Sequence, residues 1–357
     1  MAHRQRGDSE GETMNGQQAN VTAALIAMVL GGWLIGAAAA EPPKAGDAGA
    51  PLALVQRIPL PGVSGRMDHL GIDLDGRRLF AAALGANQNT VEVIDLAAGR
   101  RVFSIRGQSK PQGVFYSAES KRLFVANGGD GTYKVFRGDD FKLVSSVPLG
   151  INPNHVGYDA ATKYLYVGFR DRRSGRLAIV DTSTGKTIGD IRTDALPGGI
   201  KVETAGARIF VTLLGQRKLG VIDRNKREEI ATWPIEHPVA ALALDENRHR
   251  LFAGARNPPT LAVFDTESGR RIAELDCVSG IDDLWYDAAH RRIYATGTDG
   301  IAVYTQQDAD HYAPMARVAS APGAATSIWV PALDRLFVSA PKAGSDEAAI
   351  LAFEARP

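Results

Sequence analysis

A seven-bladed β-propeller, all-β with four-stranded blades, is the fold this sequence predicts. A motif of the form Arg-Leu-Phe recurs with its aromatic at Phe80, Phe124, Tyr166, Phe210, Phe252, Tyr294 and Phe337, at intervals of 44, 42, 44, 42, 42 and 43 residues. A fixed period of that length marks a repeat architecture. Each copy holds short runs rich in Val, Ile, Phe and Tyr, separated by Gly-rich turns, and four such strands make one blade. The last copy shows only three runs, near residues 324–330, 335–340 and 348–354. The stretch LALVQRIPL, Leu52 to Leu60, resembles the final strand of the other copies. Joining it to the last copy closes the ring and removes exposed strand edges. Helical repeats of similar period do not fit, because no segment sustains a 3.6-residue apolar stripe over three turns.

Taken from the N-terminus, residues 1–40 read as a signal peptide. The run VTAALIAMVLGGWLIG from Val21 to Gly36 carries no charge and is followed by Ala37 to Ala40 and then Glu41-Pro42-Pro43. An apolar segment of that length with small residues after it fits cleavage after Ala40. It falls short of the ~20 residues of a membrane span, and an uncleaved anchor is the alternative reading. The leader also lacks the usual positive excess, since Asp8, Glu10 and Glu12 offset Arg4 and Arg6. Residues 41–51 read as a flexible Pro-, Gly- and Ala-rich lead-in, and 52–357 as the propeller. The expected location is periplasmic or secreted, the expected state a monomer, and no transmembrane domain remains once the leader is removed.

Composition sets outer limits on function. The chain has 357 residues, 45% of them hydrophobic and 23% charged, and Lys plus Arg number 41 against 40 Asp plus Glu. A net charge of +1 argues against a globally basic nucleic-acid binder, so any polyanion must meet a local patch. The single cysteine, Cys277, excludes an intramolecular disulfide, a thiolate zinc cluster and c-type haem attachment. Its place in a final strand reads as a small buried hydrophobe.

Within each blade, recurring residues have structural explanations. Asp95, Asp181 and Asp265 end strands four residues before Gly99, Gly185 and Gly269, and Asp223 holds the same place before Asn225-Lys226. An Asp there accepts hydrogen bonds from turn N–H groups, and Gly supplies the positive φ. The anchor aromatics follow the blade period and read as packing between sheets. Trp233, Trp285 and Trp329 fall in predicted strands and read as core.

The strings RLFVANGGDGTYKVF, YLYVGFRDRRSGRLAIVDTSTGK and RLFAGARNPPTLAVFDTESGRR resemble the YVTN-repeat, YncE-like bacterial β-propellers, over residues 52–357. The resemblance implies an exported seven-bladed propeller. It implies DNA binding for some members, and lactonases and haem-containing nitrite reductases in the wider neighbourhood, of which the haem branch lacks support here. A repeat motif of this kind identifies blades and carries little information on chemistry.

Positions that break the repeat are the informative ones. Twelve residues before each anchor aromatic stand Asp68, Gln112, Asn154, Gly198, Ala240, Asp282 and Ala325, and one residue later His69, Gly113, His155, Gly199, Ala241, Asp283 and Thr326. Here each blade hands over to the innermost strand of the next, at one mouth of the channel. Asp68, His69, Gln112, Asn154, His155, Asp282 and Asp283 are therefore the candidate ligand-binding residues. Three chemistries are open. Asp68 and Asp282 or Asp283, with Gln112 and Asn154, would offer oxygen ligands to a divalent cation that activates water or polarises a lactone carbonyl. His69 and His155 would act as acid and base or as zinc ligands. All of them would bind water or an unreacting small-molecule or protein ligand, the reading preferred here, with no cofactor.

A second asymmetry is basic. The loops between second and third strands carry Arg170, Arg172, Arg173 and Arg176 in blade 3, Arg217 and Lys218 in blade 4, and Arg256 in blade 5. That arc would suit a phosphate, an acidic polysaccharide or single-stranded nucleic acid, although stacking aromatics are missing from it. No G-x-S-x-G elbow, phosphate-binding Walker loop or H-E-x-x-H motif is present.

Overall fold

The structure is a computed structural model, and it describes residues 49–85 and 88–357; the signal peptide and most of the lead-in expected from the sequence lie outside that range. Among the described residues, seven four-stranded antiparallel sheets form the structure. Six use four consecutive strands each. In the seventh the order is Leu52–Pro59, Ala349–Ala355, Arg335–Ala340, Ser327–Val330. The N-terminal strand thus pairs with the C-terminal one, antiparallel from Leu52 opposite Ala355 to Pro59 opposite Ala349. Leu52, Ile58 and Leu60 of this segment are fully buried. Among the described residues the only helical turns are two 3₁₀ segments, Glu246–Arg248 and Pro331–Leu333, and no helix is long and apolar enough to cross a membrane.

Seven buried apolar clusters occupy the seven seams between neighbouring blades. Each anchor aromatic sits in the seam toward the following blade. Phe80 packs with Val114, Leu123 and Val125 of blade 2, and Phe337 packs with Leu70 and Leu79 of blade 1 across the closure. The period read from the sequence is therefore the spacing at which one sheet must cover the next. With no α-helix among the described residues to cover them, sheets that are apolar on both faces are buried here by stacking around a ring.

The turn carboxylates behave as their spacing requires. Asp95 Oδ1 accepts from the N–H groups of Ala97 and Ala98, each at 2.9 Å, and Asp223 Oδ1 accepts from Asn225 at 2.9 Å and Lys226 at 3.0 Å. Gly99, Gly185 and Gly269 take φ of 61°, 73° and 69°, whereas blade 4 places Arg227 in that conformation, at φ 58°. A side chain there costs about 1–2 kcal/mol, part of which glycine returns through its freer unfolded chain. Arg227→Gly should therefore raise stability by roughly 0.5–1 kcal/mol, and an unchanged or lower urea midpoint would contradict this.

A second set of acids was not singled out from the sequence. Asp73, Asp159, Glu203, Asp245 and Asp287 end the innermost strands of five blades and are buried. They cap the turn that follows, and four of them hold arginines: Arg78 Nε donates to Asp73 at 2.9 Å, Arg208 Nε to Glu203 at 2.9 Å, Arg224 pairs with Asp159 at 3.0 Å and Arg248 with Asp245 at 3.5 Å, while Asp287 holds His290 and Tyr294. Their recurrence at the blade period was the available signal, and their role is to satisfy turn backbone at the far end of the channel.

Candidate functional site

The innermost strands are Arg66–Asp73, Pro111–Ser117, Val156–Asp159, Pro197–Val202, Val239–Asp245, Asp283–Asp287 and Ser327–Val330. In blades 1, 2, 4 and 5 the pairing of this strand shifts register at its entry, between Met67 and Leu70, Pro111 and Val114, Pro197 and Ile200, and Val239 and Ala241. Such an irregularity re-aims side chains at a sheet rim. The consequence is a central cavity of ≈ 270 Å³. His69, His155, Asp282 and Asp283 line it, together with Lys201, Trp285, Phe115, Tyr158 and Ser327. Small residues at Gly113, Gly199 and Ala241 leave the space open.

The sequence-derived set divides in two. His69 is the centre of the first part. Its Nδ1 lies 3.2 Å from Asp283 Oδ2, and its Nε2 3.4 Å from Asp68 Oδ1. Asp283 Oδ2 also accepts from the Ser327 N–H at 2.8 Å. Asp68 is buried, pairs with Arg66, and its carbonyl accepts from Thr326 Oγ1 at 3.0 Å across the closing seam. Asp282 pairs with Arg256, whose Nε donates to the Ile281 carbonyl at 2.8 Å. Gln112 and Asn154 do not join this group: Gln112 Nε2 donates to Asn152 Oδ1 at 2.9 Å, and neither of them, nor Asp68, lines the central cavity. Gln112 follows the strand entry into the seam toward blade 3, where a buried amide finds an amide partner.

The two histidines face one another, with ring centroids 4.6 Å apart, yet hold opposite charge states. Burial opposes a proton on His69, but the charges of Asp283 and Asp68 and the hydrogen bond to Asp283 outweigh it and push the pKa up to about 10. His155 is held well below the ordinary histidine range by burial first, and then by the charges of His69, Arg256, Arg66 and Lys201. Both of its ring nitrogens are buried with no hydrogen-bond partner, as is Asn154 Oδ1. A group whose folded pKa is depressed must give up its proton to fold, so His155 lowers stability as pH falls through the unfolded value of ~6.5. His155→Leu should therefore flatten the loss of melting temperature between pH 7 and pH 5. A variant as acid-sensitive as the parent would contradict the assignment.

Sequence reasoning missed Lys201, Trp285 and Phe115 as channel residues. Each lies two positions beyond the entry residue of its blade, on the same face of a strand of period two. The signal was present, and extending the register by two would have found them. Lys201 Nζ stands 4.3 Å from the centroid of the Trp285 ring, and Trp285 Nε1 donates to Ser327 Oγ at 3.1 Å. Burial lowers the Lys201 pKa against the pull of Asp283. Trp285 is thus a cavity wall as well as a seam residue, while Trp329 is buried as read from the sequence.

The basic arc is partly neutralised. Arg176 pairs with Asp171 at 2.9 Å and Asp190 at 2.7 Å, Lys218 with Asp194, and Arg256 with Asp282. Arg170, Arg172, Arg173 and Arg217 have no carboxylate within 4 Å among the described residues. The Arg256–Asp282 pair joins a second-to-third-strand loop to the entry of the next blade, so arc and cavity open on the same mouth.

Among the described residues, one trio of His, Cys, Asp or Glu has donor atoms within 4.8 Å of one another, and it is Glu236, His237 and Glu274 on the outer surface. Arg271 holds both of those glutamates, at 2.9 Å and 2.6 Å. At the channel mouth, Asp68 and Asp282 each hold a guanidinium, and Asp283 holds His69 and the Ser327 N–H.

No family model matches the sequence, and no curated protein does. Solved structures do resemble it. A chain of the "Crystal Structure of Mitotic Checkpoint Complex" aligns at TM-score 0.71 and 15% identity, covering 93% of this chain and all of that one. A chain of the Kuenenia stuttgartiensis hydrazine synthase aligns at TM-score 0.65 and 14% identity, covering 78% of this chain and 94% of that one. At such identities the likeness is one of fold. The chain is a seven-bladed β-propeller.

Proposed function

We propose that this protein is an exported, YncE-like propeller that works as a binding module through the cavity at its channel mouth. The observation that carries the reading is His155: two buried ring nitrogens without partners, in a cavity, beside neighbours that hold the ring neutral. A buried polar group left unsatisfied costs roughly 1–3 kcal/mol, and a bound ligand that meets it recovers that cost. The fold suits the role, because a propeller presents convergent side chains from separate blades on a rigid frame. The rival reading, a divalent-metal-dependent hydrolase of lactone type, needs free carboxylates, and at the mouth Arg66 holds Asp68, Arg256 holds Asp282 and His69 holds Asp283. A polyanion reading needs the arc, in which Arg176, Lys218 and Arg256 already have acidic partners.

The test is thermal stability of the protein against a panel of divalent ions, lactones, oligonucleotides and small neutral and anionic compounds. A ligand of the native state at a hundredfold its dissociation constant adds about 2.7 kcal/mol. The expected result is a shift with a small compound that disappears in His155→Leu and in Ala241→Leu, which fills the cavity. A shift with metal alone, abolished by Asp68→Ala, would instead support the hydrolase.

A further inference from the structure

Resting on the reading that the channel is the site, the arrangement of charge there names the chemistry of the ligand. His69 and Lys201 line the cavity with Asp282 and Asp283, and Arg66, Arg256 and Asp68 stand beside them in ion pairs. Arg66 is paired with Asp68, His69 with Asp283 and Asp68, and Arg256 with Asp282. Lys201 is left over. It has no carboxylate within 4 Å among the described residues, and its ammonium rests against the face of Trp285. Lys201 is half-buried; an ammonium partly withdrawn from water without a counterion carries a cost, and the ring offsets only part of it. Trp285 and Lys201 also border a larger opening at the other end of the channel, so the ammonium stands where the two spaces meet. The remaining wall is flat and apolar: Phe115 and Tyr158 stack at 4.5 Å between centroids and both line the cavity.

We infer that the cavity receives one small organic monoanion with a flat apolar body, of the aryl carboxylate class. Its carboxylate meets Lys201 and the N–H of neutral His155, and its ring lies against Phe115, Tyr158 and Trp285. A space of ≈ 270 Å³ suits a single ring with one substituent, since cavities of ~150 Å³ accept benzene. A chain of nucleic acid is too large for it, so this ligand is distinct from anything that would lie along the arginine arc.

Calorimetric titration of the whole protein with benzoate and with benzamide, its neutral counterpart of the same shape, tests the inference. Benzoate should bind at least about tenfold more tightly, the scale of one charge-assisted contact. Lys201→Met should remove that preference and leave benzamide unchanged, and Lys201→Gln serves if the first variant does not fold. Replacing Arg172 and Arg173 by Ala should leave benzoate binding as it was. Equal affinity for the two compounds, benzoate binding undiminished in the Lys201 variants, or no benzoate binding at millimolar concentration would each overturn the anion assignment. If a neutral compound still binds in a His155-dependent way, the channel reading survives that failure. If every bound compound is indifferent to both His155→Leu and Lys201 substitution, the channel reading falls with it.

Discussion

Deletion of residues 52–60 should abolish cooperative folding. The segment supplies the fourth strand of the seventh blade and pairs with Ala349–Ala355 along its length. It also contributes Leu52, Ile58 and Leu60, all fully buried. Each such side chain is worth about 1.5–3 kcal/mol of burial, and together they approach the 5–15 kcal/mol total typical of a folded protein. Removing them also uncovers the edge of a buried strand, an invitation to intermolecular pairing. The expected product is aggregated, or lacks a sigmoidal urea transition. A soluble deletion that still melts cooperatively would show that the ring does not depend on this closure. Ile58→Ala is the graded version and should cost about 2–5 kcal/mol.

His69→Leu carries the second large effect, through charge. The imidazolium stands between Asp283 and Asp68 at 3.2 and 3.4 Å, and its removal leaves both carboxylates facing an apolar group. Removing one partner of a buried pair costs on the order of 3–5 kcal/mol. The pH dependence identifies the cause. A group whose folded pKa is raised contributes stability that is fully present below its unfolded value, ~6.5, and is lost as pH rises through the folded value, about 10. The gap in unfolding free energy between parent and variant should therefore be widest at pH 6 and narrow steadily toward pH 10. Urea titrations at pH 6, 8 and 10 measure it. A gap independent of pH would mean that the ring acts by packing alone. Because His155 works with the opposite sign, the double variant should show a flatter profile than either single one.

The architecture was legible because its causes are local and repeated. Phe80 and its six counterparts recur at the spacing that carries one sheet onto the next, and the missing strand of the last copy pointed to Leu52–Leu60. The mouth was legible in part. Counting back from the anchors found His69, His155, Asp282 and Asp283, because the inner-strand register is conserved from blade to blade. The same counting also drew in Asp68, Gln112 and Asn154, which do not line the cavity, and it stopped two residues short of Lys201 and Trp285.

The sequence by itself determined the number of blades, the strand that closes the ring, the turn carboxylates and part of the set of positions that enter the channel. These follow from periodicity, and periodicity survives without coordinates. Only the tertiary structure decided which charges pair. Asp283 on blade 6 meets His69 on blade 1 across 214 residues of chain, Asp68 meets Thr326 across the seam, and Lys201, among the described residues, lines the cavity without a carboxylate partner within 4 Å. No spacing encodes those distances, because they depend on how a ring of twisted sheets closes and how each rim irregularity aims its side chain. The charge state of two touching histidines depends in turn on that closure, since burial and neighbouring charge act over a few ångströms of space rather than along the chain.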